Sequence, residues 1–296
     1  MKLNATLLVL FVLMAVASSS AQEVSVDQLK EMMAQASDNL TTYVYTRSAE
    51  SEILYSNQTI QEKFLASKET AGKVDLPAQR GWWNATLTDR ISGQVLTWEG
   101  YLVNGSEHWK ENQNWTRFII TDIARVMEDY NELPGQLELA GLSDMQIAGT
   151  EKCGDGECYK LVGSPIKPLL KELITLQLMA SYFPSPFPLP EELQNKSLDI
   201  YNTTLLDHSR VTVTAWISKN TSLLRRMDIQ SSLTITPQIL NISEPNFEIE
   251  SRLNESTIYS GFGEPIEIEL PPEAQNETYR TVGTDWRWAA FGSARP

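Results

Sequence analysis

The side chains that most often carry out chemistry are sparse in this chain of 296 residues. It has two histidines, His108 and His208, and two cysteines, Cys153 and Cys158. His108 adjoins Trp109 in a segment expected to be an edge strand, and His208 falls in Asp207-His208-Ser209 at an expected loop. Adjacency of these three residue types is not a catalytic triad, whose members must converge with the base between nucleophile and orienting acid. Neither histidine lies near a Gly-x-Ser-x-Gly or in a His-Glu-x-x-His. The pair Glu191-Glu192 reads as a helix start. The chain is therefore expected not to be an enzyme, and no cofactor is implied. Cys153 and Cys158 enclose Gly-Asp-Gly-Glu. In an oxidising compartment they should form a disulfide across a tight hairpin, with modest stabilisation because the closed loop is short. Asp155 and Glu157 could add oxygen ligands, but two cysteines with no nearby histidine do not make an expected metal site.

One chemical pattern is abundant. After residue 21 there are fourteen asparagines, and eleven stand in Asn-x-Ser/Thr with x not proline. They are Asn39, Asn57, Asn84, Asn104, Asn114, Asn195, Asn202, Asn220, Asn241, Asn254 and Asn276. With Ser and Thr at ordinary frequency, chance would place only about two there. The excess predicts an exported, N-glycosylated protein and marks surface positions, since a glycan cannot sit in a core. The N-terminus agrees. Lys2 precedes an apolar run over residues 7–17 and then Ser18-Ser19-Ser20-Ala21, the pattern of a signal peptide over residues 1–21. The run is too short to span a bilayer, and no later stretch is apolar enough to do so. No cysteine follows the cleavage site to carry a bacterial-type lipid anchor, and residues 292–296 are not a hydrophobic anchor tail. A net charge of -14 argues against nucleic acid and anionic headgroups as partners and suits solubility outside the cell.

Hydrophobic periodicity supplies the elements that position these residues. Ser25 and Gln28 form a capping box ahead of Leu29, Met32, Met33, Ala36 and Leu40 at helical spacing. From residue 43 to 102 the period becomes two. Strands are expected over 43–55 and 59–73, turning at Asn57, and over 80–91 and 94–102, turning at Ser92-Gly93. Asn104-Gly105 marks a turn before a short strand at 108–110. Ile119, Ile123, Val126, Met127 and Tyr130 predict a helix that ends before Pro134-Gly135. The cysteine hairpin follows, then a strongly apolar helix over 165–183 running into the proline-aromatic segment 183–190. Strands return at 210–218, 223–235, 239–253, 256–261 and 264–270, with Asn220 in a turn. Residues 276–296 form a tail holding Trp286, Trp288 and Phe291. With no repeat or linker, residues 22–275 read as one α+β domain, its helices packed on one face of a large, curved antiparallel sheet.

Alternation also orients one hairpin. If Asn84 carries a glycan, Trp82 and Thr86 share its outward face, while Trp83, Ala85, Leu87 and Ile91 point inward with Leu96, Trp98 and Leu102 of the partner strand.

Three stretches resemble the LolA/LppX-like lipoprotein-carrier fold. Trp216, the turn at Asn220, and Leu223-Leu224 followed by Arg225-Arg226 look like its strand-turn-strand signature. Cys158-Tyr159-Lys160-Leu161 lies where that fold has a strand leading into its interior helix. The run from Tyr259 to Ile266, with Leu270-Pro271-Pro272, looks like its closing strand. The resemblance covers most of residues 24–274. It implies an incomplete β-barrel with helices on its concave side and a cavity suited to an apolar ligand. The sequons and the missing lipid-anchor cysteine set this chain apart from bacterial members. They point to an archaeal or eukaryotic exterior, an archaeal surface being preferred.

The expected ligand-binding set is Trp83, Leu87, Leu96 and Trp98 on the sheet, faced by Leu173, Met179 and Phe183, with residues 183–190 as a lid. The ligand would be a lipid or another apolar molecule, drawn in by burial. The plainer alternative is that these side chains fill a dry core. A second reading is a structural or interaction component of the cell envelope, with other envelope proteins as partners.

Overall fold

A computed structural model describes residues 24–111, 114–120, 122–154, 156–182, 205–240, 246–276 and 278–280. The chain opens with α1 (Val26–Asp38), where Ser25 and Gln28 complete the reciprocal capping box. Next come β1 (Thr42–Asn57), β2 (Gln61–Asp75), β3 (Arg80–Asp89), β4 (Val95–Val103), β5 (Ser106–Glu111) and β6 (Asn114–Ile119). Helices α2 (Ile123–Tyr130) and α3 (Leu133–Gly141) lead to the hairpin β7 (Ser143–Cys153) and β8 (Gly156–Pro165), then α4 (Lys167–Tyr182). The last third holds β9 (Ser209–Ser218), β10 (Leu224–Ile235), the short α5 (Pro237–Leu240), β11 (Phe247–Ser260), a 3-10 turn (Pro272–Asn276) and β12 (Thr278–Arg280).

All strands join one sheet in the order β12-β6-β5-β4-β3-β2-β1-β11-β10-β9-β8-β7. Eleven strands pair antiparallel and β12 adds parallel to β6. The two ends do not meet, so the sheet is an unclosed barrel in an α+β fold, as the alternation and the resemblance lead one to expect. The disulfide Cys153–Cys158 closes the tip of the β7–β8 hairpin.

Strand parity sorts the side chains. Tyr43 and Tyr45 of β1, Val74 of β2, Leu102 of β4, Ala215 of β9, Met227 of β10 and Tyr259 of β11 share the inner face. Four helices cover it: Leu29 and Met33 from α1, Val126, Met127 and Tyr130 from α2, Leu133, Leu139 and Ala140 from α3, and Leu169, Leu170 and Leu173 from α4. A second, smaller cluster lies at the other end of β1, β10 and β11, where Ile53, Leu233, Ile235, Phe247 and Ile249 enclose Ile174 of α4 and Leu205. Helix α4 therefore contributes to both cores, in keeping with its apolar circumference.

Several expectations are corrected. Ile119 does not begin a helix; it ends β6, 48% exposed, and Asp122 accepts a hydrogen bond from the Arg125 N–H at 3.2 Å to start α2 four residues later. Pro134 does not end a helical region. It sits in the first turn of α3, where the missing N–H has no partner to lose. Residues 247–253 and 256–260 form one strand rather than two, and a short helix precedes it. Residues 264–270 form no strand, because β1 to β5 already have both neighbours and no ladder edge is open to them. They cross the outward face of the sheet instead: Thr42 Oγ1 donates to the Glu264 carbonyl at 2.7 Å, and Ile268 and Ala274 are buried.

Candidate ligand-binding face

The β3–β4 hairpin carries most of the expected site. Its register places Gly81 opposite Leu102, Trp83 opposite Gly100, Ala85 opposite Trp98 and Leu87 opposite Leu96. All eight residues lie on the inner face, as alternation from Asn84 predicts. Ile91 does not join them. Strand β3 ends at Asp89, whose carboxylate accepts from the N–H groups of Ile91 and Ser92 and from the Ser92 hydroxyl. This turn leaves Ile91 57% exposed.

Along the hairpin the inner face changes character. At the Leu102 end it is sealed. Leu102 is fully buried and Tyr130 packs flat on Gly81, where an added Cβ would run into the ring. Trp83 lies over Gly100 in the same way and meets Trp109 edge-on at 5.5 Å, and Trp109 in turn meets Phe118 at 6.5 Å. Tyr130 donates to Glu107 at 3.1 Å, both groups being buried, and burial together with that carboxylate pushes the phenol pKa well up. At the other end, Leu87, Leu96 and Trp98 are half-buried and belong to neither core cluster.

The seven residues of the expected set thus divide. Trp83 and Leu173 pack against the main core. Leu87, Leu96 and Trp98 form a contiguous apolar strip beside it. The Met179 side chain, Phe183 and the expected lid at 183–190 lie outside the described residues. So do Asp155, Glu191, Glu192, Trp286, Trp288 and Phe291.

Sequence reasoning missed a band of charge between the two cores. Arg47 occupies an inward position on β1 and makes ion pairs to Glu132 at 3.3 Å and to Glu255 of β11 at 2.6 Å. Nearby, the Tyr43 hydroxyl donates to Asn131 at 2.7 Å and accepts from the Leu133 N–H at 3.4 Å, tying the α2–α3 connection to β1. Burial raises the pKa of Glu132; Arg47 opposes the shift, Glu255 adds to it, and Lys68 opposes it in turn. The available signal was Arg47 itself, a cation in phase with Tyr43 and Tyr45 on an otherwise apolar stripe.

The sequons map as follows. Asn84 and Asn254 stand on the outward face, paired with Glu99 and Glu50 respectively. Asn104 and Asn220 occupy turns, with Asn104 at φ 51° followed by Gly105 at φ 71°. Asn39 follows the end of α1, Asn57 closes β1 and Asn114 opens β6. Asn276 ends the 3-10 turn, while Asn195, Asn202 and Asn241 lie outside the described residues. His108 is not on an edge. Strand β5 lies between β4 and β6, and His108 is 5% exposed on the outward face. His208 is exposed at the start of β9, where the Ser209 hydroxyl donates to the Leu206 carbonyl.

No protein-family model matches the sequence, and no curated protein sequence is significantly similar to it. Among solved structures, the chain is similar to LprF from Mycobacterium bovis, at 12% identity over 83% of this chain and 96% of that one, TM-score 0.42. The lipoprotein LppX from Mycobacterium tuberculosis matches at 12% identity over 82% and 98%, TM-score 0.40. A LolA superfamily protein from Nitrosomonas europaea matches at 9% identity over 84% and 96%, TM-score 0.20. At these identities the likeness concerns fold alone.

Proposed function

We propose that this chain is an exported, N-glycosylated, non-enzymatic protein of the cell exterior. It takes a lipid or other apolar molecule against the inner face of its unclosed sheet. The observation that carries this reading is the strip Leu87, Leu96 and Trp98. It lies on the face that elsewhere holds a closed core, yet it belongs to neither core cluster. An apolar ligand laid along it gains roughly 25 cal/mol for each Å2 of apolar surface removed from water. Trp98 adds a large flat surface, and Trp83 backs the strip from within the core. The sequons support the orientation in part, since the two in mid-strand, Asn84 and Asn254, face outward, while Asn57 and Asn114 take inward positions at strand ends.

The test is uptake of a fluorescent fatty acid by full-length secreted protein, with native mass spectrometry of the same preparation. Saturable uptake, or a co-purifying lipid, is expected. Leu96→Ser should weaken uptake about tenfold, the equivalent of one leucine contact worth roughly 1.4 kcal/mol. No uptake and no co-purifying lipid would sink the carrier reading. Retention of such protein on whole cells through salt washing would then favour an envelope component.

A further inference from the structure

The outward face of the β3–β4 hairpin, away from the apolar strip, carries an aromatic platform built around a sequon. Asn84 stands in the middle of β3, with Trp82 before it and Thr86 after it on the same face. Such neighbours lie about 7 Å apart along a strand, within reach of a large side chain or a sugar ring. We propose, resting on the reading of this chain as N-glycosylated, that the glycan on Asn84 docks here. The C–H face of its first pyranose ring packs against the Trp82 indole, and its hydroxyl or acetamido groups donate to Glu99.

Geometry is the first argument. Trp82 Nε1 donates to Glu99 Oε1 at 3.1 Å, and Glu99 is the direct cross-strand partner of Asn84. This bond draws the indole toward the sequon. The Tyr101 hydroxyl donates to the same carboxylate oxygen at 2.9 Å, and the Tyr101 and Trp82 rings meet at 6.5 Å. Lys73, opposite Trp82 on β2, places its ammonium 5.6 Å from the centre of the indole. The ring is thus held by three neighbours before any sugar arrives, and docking has little left to order.

Chemistry is the second. A pyranose presents a face of C–H groups ringed by hydroxyls. A half-buried indole beside a carboxylate offers the complement, a flat apolar surface with an acceptor at its edge. Among the described residues Glu99 accepts two hydrogen bonds, both on Oε1, while Oε2 faces Lys110 at 4.0 Å. A carboxylate has about four acceptor sites, so sugar donors find room. The third argument is a contrast on the same face of the sheet. Asn254 has Arg252 and Ser256 along its strand and Glu50 and Gln230 across from it, with no aromatic ring among these four. A glycan there has nothing flat to lie on.

The experiment uses full-length protein secreted by a glycosylating host. Glycopeptide mass spectrometry reads each site, and thermal unfolding reads stability. Asn84 is expected to be modified. Asn84→Gln should lower the Tm by about 2–4 °C, and Asn254→Gln should leave it unchanged. In a Trp82→Leu background the Asn84→Gln shift should vanish. If Trp82→Leu does not fold, trimming every glycan to its first sugar tests the same contact, and the Tm should then be retained. Equal shifts from Asn84→Gln and Asn254→Gln overturn the docking. So does an Asn84→Gln shift that persists without N-glycans or without Trp82, or a Tm lost on trimming. A modified Asn84 with no shift overturns the docking alone, whereas an unmodified Asn84 overturns it together with the glycosylation reading at this site.

Discussion

The two ends of the β3–β4 hairpin face the same side of the same sheet and have opposite fates. At one end Leu102 and Gly81 are buried, with Tyr130 of α2 seated on Gly81, and Trp83 packs against the same core. At the other, Leu87, Leu96 and Trp98 are no less apolar but are left half-exposed. The difference comes from what lies across from each end. Helix α2 is short and reaches only the first, with Tyr130 seated on Gly81 and donating to Glu107. A half-exposed apolar sheet face is either a liability in water or a surface for something else. The proposed ligand would do for the second end what α2 does for the first.

The largest expected effect is at the sealed end. Leu102→Ala should lower unfolding free energy by about 2–5 kcal/mol in urea denaturation, the usual range for a fully buried leucine, and leave fatty-acid affinity nearly unchanged. Gly100→Ala should come next. Its new Cβ meets the Trp83 indole, which must move, at a cost of about 1–3 kcal/mol. Because Trp83 backs the strip, this variant should also weaken ligand uptake. If Gly100→Ala changes stability alone, the two ends are independent, and the comparison must be drawn more sharply between Trp83 and Trp98.

The hairpin was legible in the sequence because two local signals agreed. Asn84 chose the outward face, and alternation then assigned Trp83, Ala85, Leu87, Leu96, Trp98 and Leu102 to the inner one. The capping box at Ser25 and the turn at Asn104-Gly105 were legible for the same reason, since each depends on residues a few positions apart. What was hidden depends on distant partners. That Trp83 and Leu173 join the core while Leu87, Leu96 and Trp98 do not depends on which distant side chains meet them, which no strand pattern contains. Residues 264–270 have strand-like composition, but strand formation needs an open edge, and edges are a property of the whole sheet order. Arg117 and His108 become neighbours only through the β5–β6 pairing, and β6 was hidden by apolar residues that also fit a helix.

At the open end the expected change in stability is small. Leu96→Ala removes a half-buried side chain with neighbours on one side only, so it should cost under about 1 kcal/mol. Its effect on fatty-acid uptake should be the larger of the two, the reverse of the Leu102→Ala result. A stability loss as large as that of Leu102→Ala would mean that the strip is ordinary core and would remove the basis for a ligand there.

The smallest effect concerns the cost of sealing the first end. Glu132, held between Arg47 and the tyrosine cluster, is buried enough that its pKa is raised despite Arg47. A carboxyl group that is harder to ionise in the folded state than in the unfolded chain makes stability fall as pH rises. The unfolded chain loses its proton first, through the ordinary glutamate range, and the native state gains nothing until the pH passes its own higher value. Below that range both states are protonated and the effect vanishes. Glu132→Gln keeps a hydrogen-bonding side chain beside Arg47 and cannot titrate. The stability of the natural protein relative to this variant should therefore decline as pH is raised from the ordinary glutamate range upward and level off only once the folded-state value is passed, as read from urea midpoints. A difference constant across that interval would show that Arg47 offsets the burial of Glu132 in full. A difference that grows with pH would show that the ion pair outweighs burial. In the second case the band between the two cores would stabilise the ionised carboxylate, and in either case sealing the first end would carry no electrostatic cost that the open end avoids.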